Sequence, residues 1–270
     1  MSNLITLANF TTLGIGGEAL VDVVYSACEL SKCSDSIVLG MGSNVLISDK
    51  GVNGRVIINR ANGFKIENGA LYAESGCSMS YLAKHCSSLG FSGLEWSYML
   101  PATVGGAIVM NAGAFGGQVS DSLLKVGVLR RGKIEEIEAK DCGFSYRTSG
   151  FSREDIILYA YFSLKREDSK LCNKRLEEIK TRRNTQPKGK SAGCIYKTED
   201  KSAGWYIEQS GLKNKRVGDI YVSPIHAGFF INAGRGSAKD MLKLMDYVEK
   251  SVEDKFNKRL IREIKLIGEF

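Results

Sequence analysis

Four segments carry polar side chains that local structure does not require, and each could take part in chemistry. Arg147 lies in a loop before a strand, and Arg182 ends a basic helix shortly before Gln186. Cys194 follows a small-residue turn, where a thiol is more often accessible than in a core. Glu263 is a carboxylate on a segment with a buried-strand pattern. Each has a structural alternative: a solvated loop or helix face for the arginines, an inert core thiol, and an edge-strand charge.

Two stretches of small residues indicate a bound ligand. One runs from Pro101 to Ala114 and the other from Val38 to Ile47, and both join glycine turns to apolar, strand-like runs. Because glycine costs conformational entropy wherever it is ordered, such a density indicates that something approaches the main chain closely. Tight turns in a β-rich core would explain either stretch alone. The pair together favours a large ligand lying against backbone amides.

The composition and the motifs exclude several classes of function. The 270 residues carry a net charge of +7 without a long basic run, which argues against nucleic-acid binding. The seven cysteines form no CxxC pair and only two histidines are present, so we expect no metal site. No P-loop or strand–GxGxxG–helix fingerprint occurs, so any dinucleotide is held in another way. Without a signal peptide or a membrane-length apolar run, we expect a cytoplasmic protein that contacts no membrane.

Apolar periodicity predicts the elements that would position these groups. The first part is β-rich, with predicted strands over 37–39, 45–48, 55–59, 124–130, 134–139 and 155–165 and a helix over 78–89. The second part has predicted helices over 171–183 and 203–210, a long helix capped by Ser237 and Asp240, and a final strand from Leu260 to Gly268. A polar segment after residue 165 suggests a domain boundary, which gives domains 1–165 and 166–270.

A series of short motifs resembles the UDP-N-acetylenolpyruvoylglucosamine reductase family over nearly the whole chain, from about Asn9 to Phe270. The motifs occur in family order: Thr12 to Gly17, Gly40 to Asn44, Pro101 to Gly116, Tyr146 to Phe151, Gln186-Pro187, Ser191 to Cys194, Ala203-Gly204 with Ile207-Glu208, Arg216 to Gly218, His226 to Phe229, and Glu263 to Glu269. So many matches in sequence do not arise by chance.

The resemblance implies an α+β fold with two parts. The N-terminal part would be a two-subdomain FAD-binding module of the vanillyl-alcohol-oxidase (PCMH) type, followed by a C-terminal α+β substrate-binding domain. The short length fits the shorter, type II architecture of the family. The implied activity is reduction of UDP-N-acetylglucosamine enolpyruvate to UDP-N-acetylmuramate in peptidoglycan precursor synthesis. It would use non-covalent FAD and NADPH as the hydride donor, with hydride from flavin N5 and a proton from Cys194.

Three residues match the family's catalytic positions. Arg147 corresponds to the arginine beside the substrate carboxylate, where a permanently charged guanidinium can offset a developing enolate. Glu263 corresponds to the glutamate that assists from the other side. Cys194 stands where most members have the proton-donating serine. Because a thiol is a stronger acid than an alcohol, we expect Cys194 to donate the proton.

Other motif positions imply contacts with the cofactor and the substrate. FAD contacts are expected from Arg147 and from the two small-residue stretches, at Gly40, Gly42, Ser43, Asn44, Thr103, Val104, Gly105, Gly106, Asn111, Ala112 and Gly113. Contacts with the nucleotide sugar or with NADPH are expected from Tyr146, Arg182, Gln186, Lys197, His226 and Asn232.

Two positions depart from the family pattern, and two other functions stay open. Besides Cys194, the proline turn has Ala102 where the family usually has glycine, which affects only the local turn geometry. One alternative is a FAD-dependent oxidase on the same module, which would not need Arg147, Cys194 and Glu263 together. The other is a non-catalytic FAD-binding relic, which the retention of both Arg147 and Glu263 argues against.

Overall fold

The computed structural model describes residues 3–270 and divides the chain into two compact units made of interleaved segments. Unit 1 comprises Met1–Val21, Gly42–Arg55 and Gln186–Phe270, and unit 2 comprises Asp22–Met41 and Val56–Thr185. Both units therefore contain parts of the expected domain 1–165. Compactness does not decide which segments bind which ligand, so the division into domains 1–165 and 166–270 stays a prediction.

The described residues form short strands and a few helices. The α-helices are α1 (Ala27–Leu30), α2 (Met79–Ser88), α3 (Val104–Val109), α4 (Ser169–Asn184), α5 (Ala203–Gln209) and α6 (Ala238–Phe256). The strands are β1 (Asn3–Thr6), β2 (Glu18–Val24), β3 (Ile37–Leu39), β4 (Val45–Ile47), β5 (Arg55–Asn59), β6 (Phe64–Glu67), β7 (Ala70–Glu74), β8 (Phe91–Ser92), β9 (Gly113–Ala114), β10 (Gly117–Gln118), β11 (Leu123–Arg130), β12 (Lys133–Glu138), β13 (Ile156–Ser163), β14 (Lys165–Arg166), β15 (Tyr196–Lys197), β16 (Arg216–Val217), β17 (Ile220–Val222), β18 (Phe230–Asn232), β19 (Ile261–Arg262) and β20 (Lys265–Ile267). All the helices and strands predicted from periodicity are confirmed except the last strand. In the part of the chain described, no helix is both long and apolar enough to cross a membrane.

Unit 2 is built on an antiparallel five-stranded sheet in the order β12-β11-β13-β7-β6. Alternate residues of a strand face the same side, so Ala160 and Phe162 of β13 point together into the core. There they are buried in one apolar cluster with Met79 of α2 and Val104 of α3. The sheet and the two helices thus fix the chain that leads into and out of the small-residue stretch at 101–114.

Unit 1 packs the long helix α6 against an antiparallel three-stranded sheet, β16-β17-β18. Helical spacing places Met241, Leu244, Met245, Val248, Val252 and Phe256 in one apolar stripe of α6, and all of them are fully buried except Phe256, which is partly buried. Leu13, Leu46 and Ile195 join the same buried cluster. Segments from three distant parts of the sequence therefore share one core, and this core anchors the residues on either side of Cys194.

The predicted continuous strand from Leu260 to Gly268 is wrong at its centre. Its first half, β19, pairs antiparallel with β15, whereas its second half, β20, pairs parallel with β4. Burial follows the alternation expected of one strand only in part: Leu260 and Ile264 are buried and Ile261 is exposed, but Leu266 and Ile267 are both half-buried. Alternation of apolar and polar residues indicates which face of a strand is covered, but not which strand pairs with it. The sequence pattern therefore did not predict the change of partner between Arg262 and Lys265.

Helix α6 begins at an N-terminus that is capped twice. Ser237 and Asp240 form the predicted capping box, each side chain accepting from the other residue's backbone amide. The carboxylate of Asp49 also accepts hydrogen bonds from the amides of Ala238 and Lys239, at 2.8 and 3.1 Å. An acidic group at this end of a helix satisfies free amides and opposes the helix dipole favourably.

We expect Asp49→Ala to destabilise the protein by about 1 kcal/mol, because two helix amides lose their acceptor. This corresponds to a fall in Tm of about 2–4 °C, measured by thermal unfolding followed by circular dichroism. Lys50→Ala is the matched control, since it alters the neighbouring exposed side chain and leaves the cap intact. Equal Tm values for the two variants would contradict the capping role.

Candidate active site

The two units divide the three predicted catalytic residues. Arg147 belongs to unit 2, and Cys194 and Glu263 belong to unit 1. The other predicted site residues divide in the same way. Unit 2 holds Gly40, Thr103, Val104, Gly105, Gly106, Asn111, Ala112, Gly113, Tyr146 and Arg182, and unit 1 holds Gly42, Ser43, Asn44, Gln186, Lys197, His226 and Asn232.

Arg147 sits at the corner of a tight turn. The backbone amides of Ser145 and Thr148 each donate to the other residue's carbonyl, at 3.1 and 3.2 Å. Arg147 itself has φ +56°, a left-handed conformation that costs a residue with a side chain about 1–2 kcal/mol. Asn111 Nδ2 donates to the Ser145 carbonyl at 3.1 Å and Ser149 Oγ donates to the Val109 carbonyl at 2.8 Å. These bonds hold the strained turn against the chain around α3, which indicates a conformation kept for function.

The guanidinium of Arg147 is oriented by the small-residue stretch. Its Nη2 donates to the carbonyl oxygen of Gly113 at 2.6 Å, and its carbon lies 5.1 Å from the centre of the Tyr146 ring. A Cβ on Gly113 would come within 2.9 Å of Arg147 Nη1. The same Cβ would lie 2.7 Å from the Gly117 carbonyl oxygen, so the neighbouring backbone, more than the flexible end of the arginine, requires glycine at 113. The structure thus brings Arg147, Tyr146, Asn111 and Gly113 together, as predicted site residues of unit 2.

The start of α3 uses its amides within the protein. The amides of Val104 and Gly105 donate to the carbonyls of Cys77 and Ser75 at 2.9 and 2.8 Å. The amide of Gly106 donates to Thr103 Oγ1 at 3.4 Å, and a Cβ on Gly40 would overlap Thr103 Oγ1. Tight packing thus accounts for these small residues in part. Their contacts with FAD stay a prediction.

The turn from Gly42 to Asn44 has the backbone that a pyrophosphate needs. Gly42 has φ +57°, and a Cβ there would overlap the carbonyl oxygen of Phe10, so only glycine fits. Within residues 3–270, the amides of Gly42, Ser43 and Asn44 donate to no acceptor. Successive amides beside a left-handed glycine form a cradle for an anion. The turn is therefore compatible with the pyrophosphate contacts expected of these three residues, and those contacts stay a prediction.

Cys194 and Glu263 are joined through one residue. The amide of Glu263 donates to the carbonyl of Ile195, the residue after Cys194, at 2.8 Å. The amide of Ile195 in turn donates to the carbonyl of Gly228 at 3.0 Å. The backbones of Cys194 and Phe229 pair as an isolated antiparallel β-bridge. Unit 1 thus holds the predicted proton donor and the predicted carboxylate on adjacent backbone segments.

His226 lies beside Cys194, on the other side of Gly228. A Cβ on Gly228 would lie 3.1 Å from His226 Nδ1 and 3.2 Å from Cys194 Sγ. The imidazole ring and the thiol therefore both lie next to Gly228. Nδ1 accepts the amide of Gly228 at 3.0 Å, which places the proton of the neutral ring on Nε2. Burial lowers the pKa of His226 and favours this neutral form.

The thiols divide into two groups by burial. All seven cysteines are free, and Cys33, Cys77, Cys86, Cys142 and Cys172 are buried. Burial raises the pKa of Cys77 and Cys86 to about 12, which keeps both thiols protonated and inert. Cys194 is only half-buried, as its small-residue turn predicted. The seventh thiol, Cys28, is exposed, so burial alone leaves two accessible thiols, and the family motif is what selects Cys194 as the predicted proton donor.

The remaining predicted substrate-binding residues do not form one cluster within a unit. The Asn232 side chain is buried and occupied, donating to Leu13 and accepting from the amides of Gly234 and Gly236. Arg182 is exposed, 5.9 Å from the Phe115 ring centre. Lys197 lies in β15 and Gln186 is half-buried at the start of the last segment of unit 1. Their substrate contacts stay predictions.

Comparison with known proteins gives a family. A FAD binding domain model matches residues 18–138, and a model of the UDP-N-acetylenolpyruvoylglucosamine reductase C-terminal domain matches residues 185–267. The reductase of Caldicellulosiruptor bescii is 39% identical over 98% of this chain and 90% of its own, and that of Bacillus subtilis is 36% identical over 97% and 92%. The chain belongs to the UDP-N-acetylenolpyruvoylglucosamine reductase family. The crystal structure of the Thermus caldophilus reductase, 33% identical, aligns with a TM-score of 0.90 over 99% of both chains.

Membership of the reductase family confirms the resemblance and the predicted fold class. The matched FAD-binding model covers the turn at Gly42 and the stretch from Pro101 to Ala114. The matched C-terminal model covers Cys194 and His226 and also Glu263. Both parts of the predicted α+β architecture are therefore present.

Two residues that support the site were not predicted. Thr12 Oγ1 donates to the Ser191 carbonyl at 2.6 Å, just before the Cys194 turn, and the Thr12 amide donates to the Gly42 carbonyl at 3.1 Å. Ser223, fully buried, accepts the amide of His226 at 3.4 Å. Thr12 opens a reductase-family motif, which was a usable signal. No sequence signal pointed to Ser223, because a single serine in a loop belongs to no recognisable motif or periodicity.

Folding stability should fall at acid pH through His226. Its pKa lies below the ordinary value of 6.5 because the ring is buried, so the unfolded chain binds the proton more tightly. The contribution to stability is complete above about pH 6.5 and is lost as the pH falls through the folded-state pKa. We expect His226→Gln to show a smaller loss of Tm between pH 7.5 and pH 5 than the wild type.

His85→Gln is the matched control for this prediction, because it removes the other histidine of the chain. It should keep the pH dependence of the wild type. A His226→Gln protein whose Tm falls with acid as steeply as that of the wild type would disprove the role assigned to the buried imidazole.

Proposed function

We propose that this chain reduces UDP-N-acetylenolpyruvoylglucosamine to UDP-N-acetylmuramate for peptidoglycan precursor synthesis, with bound FAD and with NADPH as the hydride donor. The proposal rests on the full-length likeness to reductases of that name and on the FAD-binding match. The observation that carries it is the backbone bond that joins the segments of Cys194 and Glu263. An oxidase on the same FAD module would not need this pair.

The chemistry divides between the cofactor and the chain. The turn from Gly42 to Asn44 would hold the pyrophosphate of FAD, and the bound, reduced cofactor would supply hydride for the terminal carbon of the enolpyruvyl group. The adjacent carbon, next to the substrate carboxylate, then carries negative charge that must be stabilised and protonated. The side chains of this protein have to meet both needs.

Arg147 stabilises the developing charge beside the substrate carboxylate. A guanidinium keeps its charge at any working pH and offers paired donors of fixed geometry. Its bond to the Gly113 carbonyl and its strained turn set the direction of the group before substrate arrives. A preorganised charge stabilises the transition state without the cost of reorienting in the reaction.

Cys194 donates the proton to the carbon that holds the negative charge. The thiol becomes a thiolate in this step and recovers its proton from solvent after product leaves. Glu263 assists from the other side of the substrate, held by its bond to Ile195. His226 keeps the Gly228 backbone in place beside the thiol through its Nδ1.

The function is tested by anaerobic stopped-flow absorbance of the FAD-loaded protein. One equivalent of NADPH should bleach the flavin band, and UDP-N-acetylenolpyruvoylglucosamine should then restore it. Recovery only on admission of oxygen would replace this proposal with the oxidase. Absence of bleaching in FAD-loaded protein would replace it with the non-catalytic relic.

We expect Cys194→Ala to slow reoxidation by substrate by about 10²- to 10⁴-fold, the usual contribution of a general acid. Bleaching by NADPH should be unchanged, because no proton from Cys194 is needed there. The measurement is the rate of each half-reaction in the stopped-flow experiment. Full turnover of Cys194→Ala would rule out the thiol as proton donor.

Cys194→Ser is the matched control, since serine keeps a proton donor at this position. Thiols ionise in the alkaline range and alcohols do not, so only the wild type should lose reoxidation rate as the pH is raised into that range. The pH profiles of the wild type and Cys194→Ser, recorded from pH 7 to pH 10, make the comparison. Identical alkaline limbs would contradict proton donation by the thiol.

A further inference from the structure

We propose that Asn44 is a positioning residue for Glu263. Its side chain would link the turn that binds the FAD pyrophosphate to the residue that carries the catalytic carboxylate. The inference rests on the proposed function and deepens it, because it gives one residue of the cofactor turn a second task. Asn44 was predicted from its motif only as a contact to FAD. Its bonds within unit 1 indicate more than that.

The bonds of Asn44 bracket the point where the last strand changes partner. Asn44 Nδ2 donates to the carbonyl of Glu263 at 3.2 Å. The carbonyl of Asn44 accepts the amide of Lys265 at 3.0 Å. Asn44 thus bonds to the residues on either side of Ile264. Its side chain bonds to Glu263, and its backbone carbonyl bonds to Lys265.

The side-chain bond replaces a bond that the sheet does not supply. β19 ends at Arg262 and β20 begins at Lys265, so Glu263 lies between two ladders. The Glu263 amide donates to the carbonyl of Ile195, which precedes β15. The Glu263 carbonyl accepts from the side chain of Asn44, which precedes β4. A backbone carbonyl outside the ladders needs another donor, and the side-chain amide Nδ2 of Asn44 is one.

The same residue belongs to the anion cradle. The amides of Gly42, Ser43 and Asn44 donate to no acceptor in the part of the chain that is described, and they are the groups that fit a pyrophosphate. An anion bound there fixes the backbone of Asn44. Because Asn44 bonds directly to Glu263, fixing the turn also fixes the backbone from which the carboxylate extends.

The fold does not depend on this one bond. β4 and β20 also pair through Val45 with Lys265, Leu46 with Leu266 and Ile47 with Ile267. Leu46 and Ile47 are fully buried. Removal of the Asn44 side chain therefore leaves the strand pair in place. The expected effect is on the position of Glu263 and not on folding.

The first test separates the two half-reactions at saturating FAD. In Asn44→Ala and in the near-isosteric Asn44→Asp, which cannot donate, reoxidation by substrate should slow about tenfold or more. Bleaching by NADPH should stay within about twofold of the wild type. Ser43→Ala is the matched control from the same turn, and it should change the FAD dissociation constant without splitting the two rates.

A second test needs no substrate and so remains valid if the proposed function fails. Hydrogen exchange of a peptide that spans residues 261–267 is measured with and without FAD. In the wild type and in Ser43→Ala, FAD should slow this exchange, and in Asn44→Ala the protection should be lost. Protection that persists in Asn44→Ala, or half-reactions that slow equally in both Asn44 variants, would overturn the coupling.

Discussion

The hydrogen bond from the Glu263 amide to the Ile195 carbonyl is the contact on which the catalytic part of unit 1 depends. It joins two segments that are far apart in sequence, one with the predicted proton donor and one with the carboxylate. Ile195 can hold this position because its side chain is fully buried in the core of unit 1 and its own amide is bonded to Gly228. The apolar core between α6 and its sheet therefore fixes the backbone next to Cys194 and Glu263, which lie outside that core.

The interleaved chain explains why the predicted cofactor turn and a predicted catalytic residue share one unit. Gly42–Arg55 leaves unit 2, forms the cradle and β4 in unit 1, and returns. β4 pairs with β20 near the other end of the chain. Such non-local pairing carries a loop-closure cost that grows only slowly with length, and buried residues such as Leu46 offset it. The excursion places the cradle one hydrogen bond from Glu263.

The sequence predicted the elements of the fold well and the roles of single backbone groups less well. Helix α6 and the hairpin of β11 and β12 follow from periodicity and turn residues, which are local signals. The change of partner at Glu263 depends on strands far away in the sequence, and alternation of burial does not encode it. The left-handed φ of Arg147 was likewise hidden, because non-glycine residues rarely adopt it. The motifs still selected Arg147, Cys194, Glu263 and Asn44, whose local bonds are now explicit.

The environment of Cys194 bears on whether its thiol could donate the proton that the proposed reaction needs. A histidine next to a cysteine often takes its proton and creates a reactive thiolate–imidazolium pair. Here burial lowers the pKa of His226, and its Nδ1 is occupied by the amide of Gly228. Both effects favour the neutral ring and disfavour the cation that would stabilise a thiolate. His226 therefore does not supply the positive charge that turns a cysteine into a thiolate, which supports the proton donation proposed for Cys194.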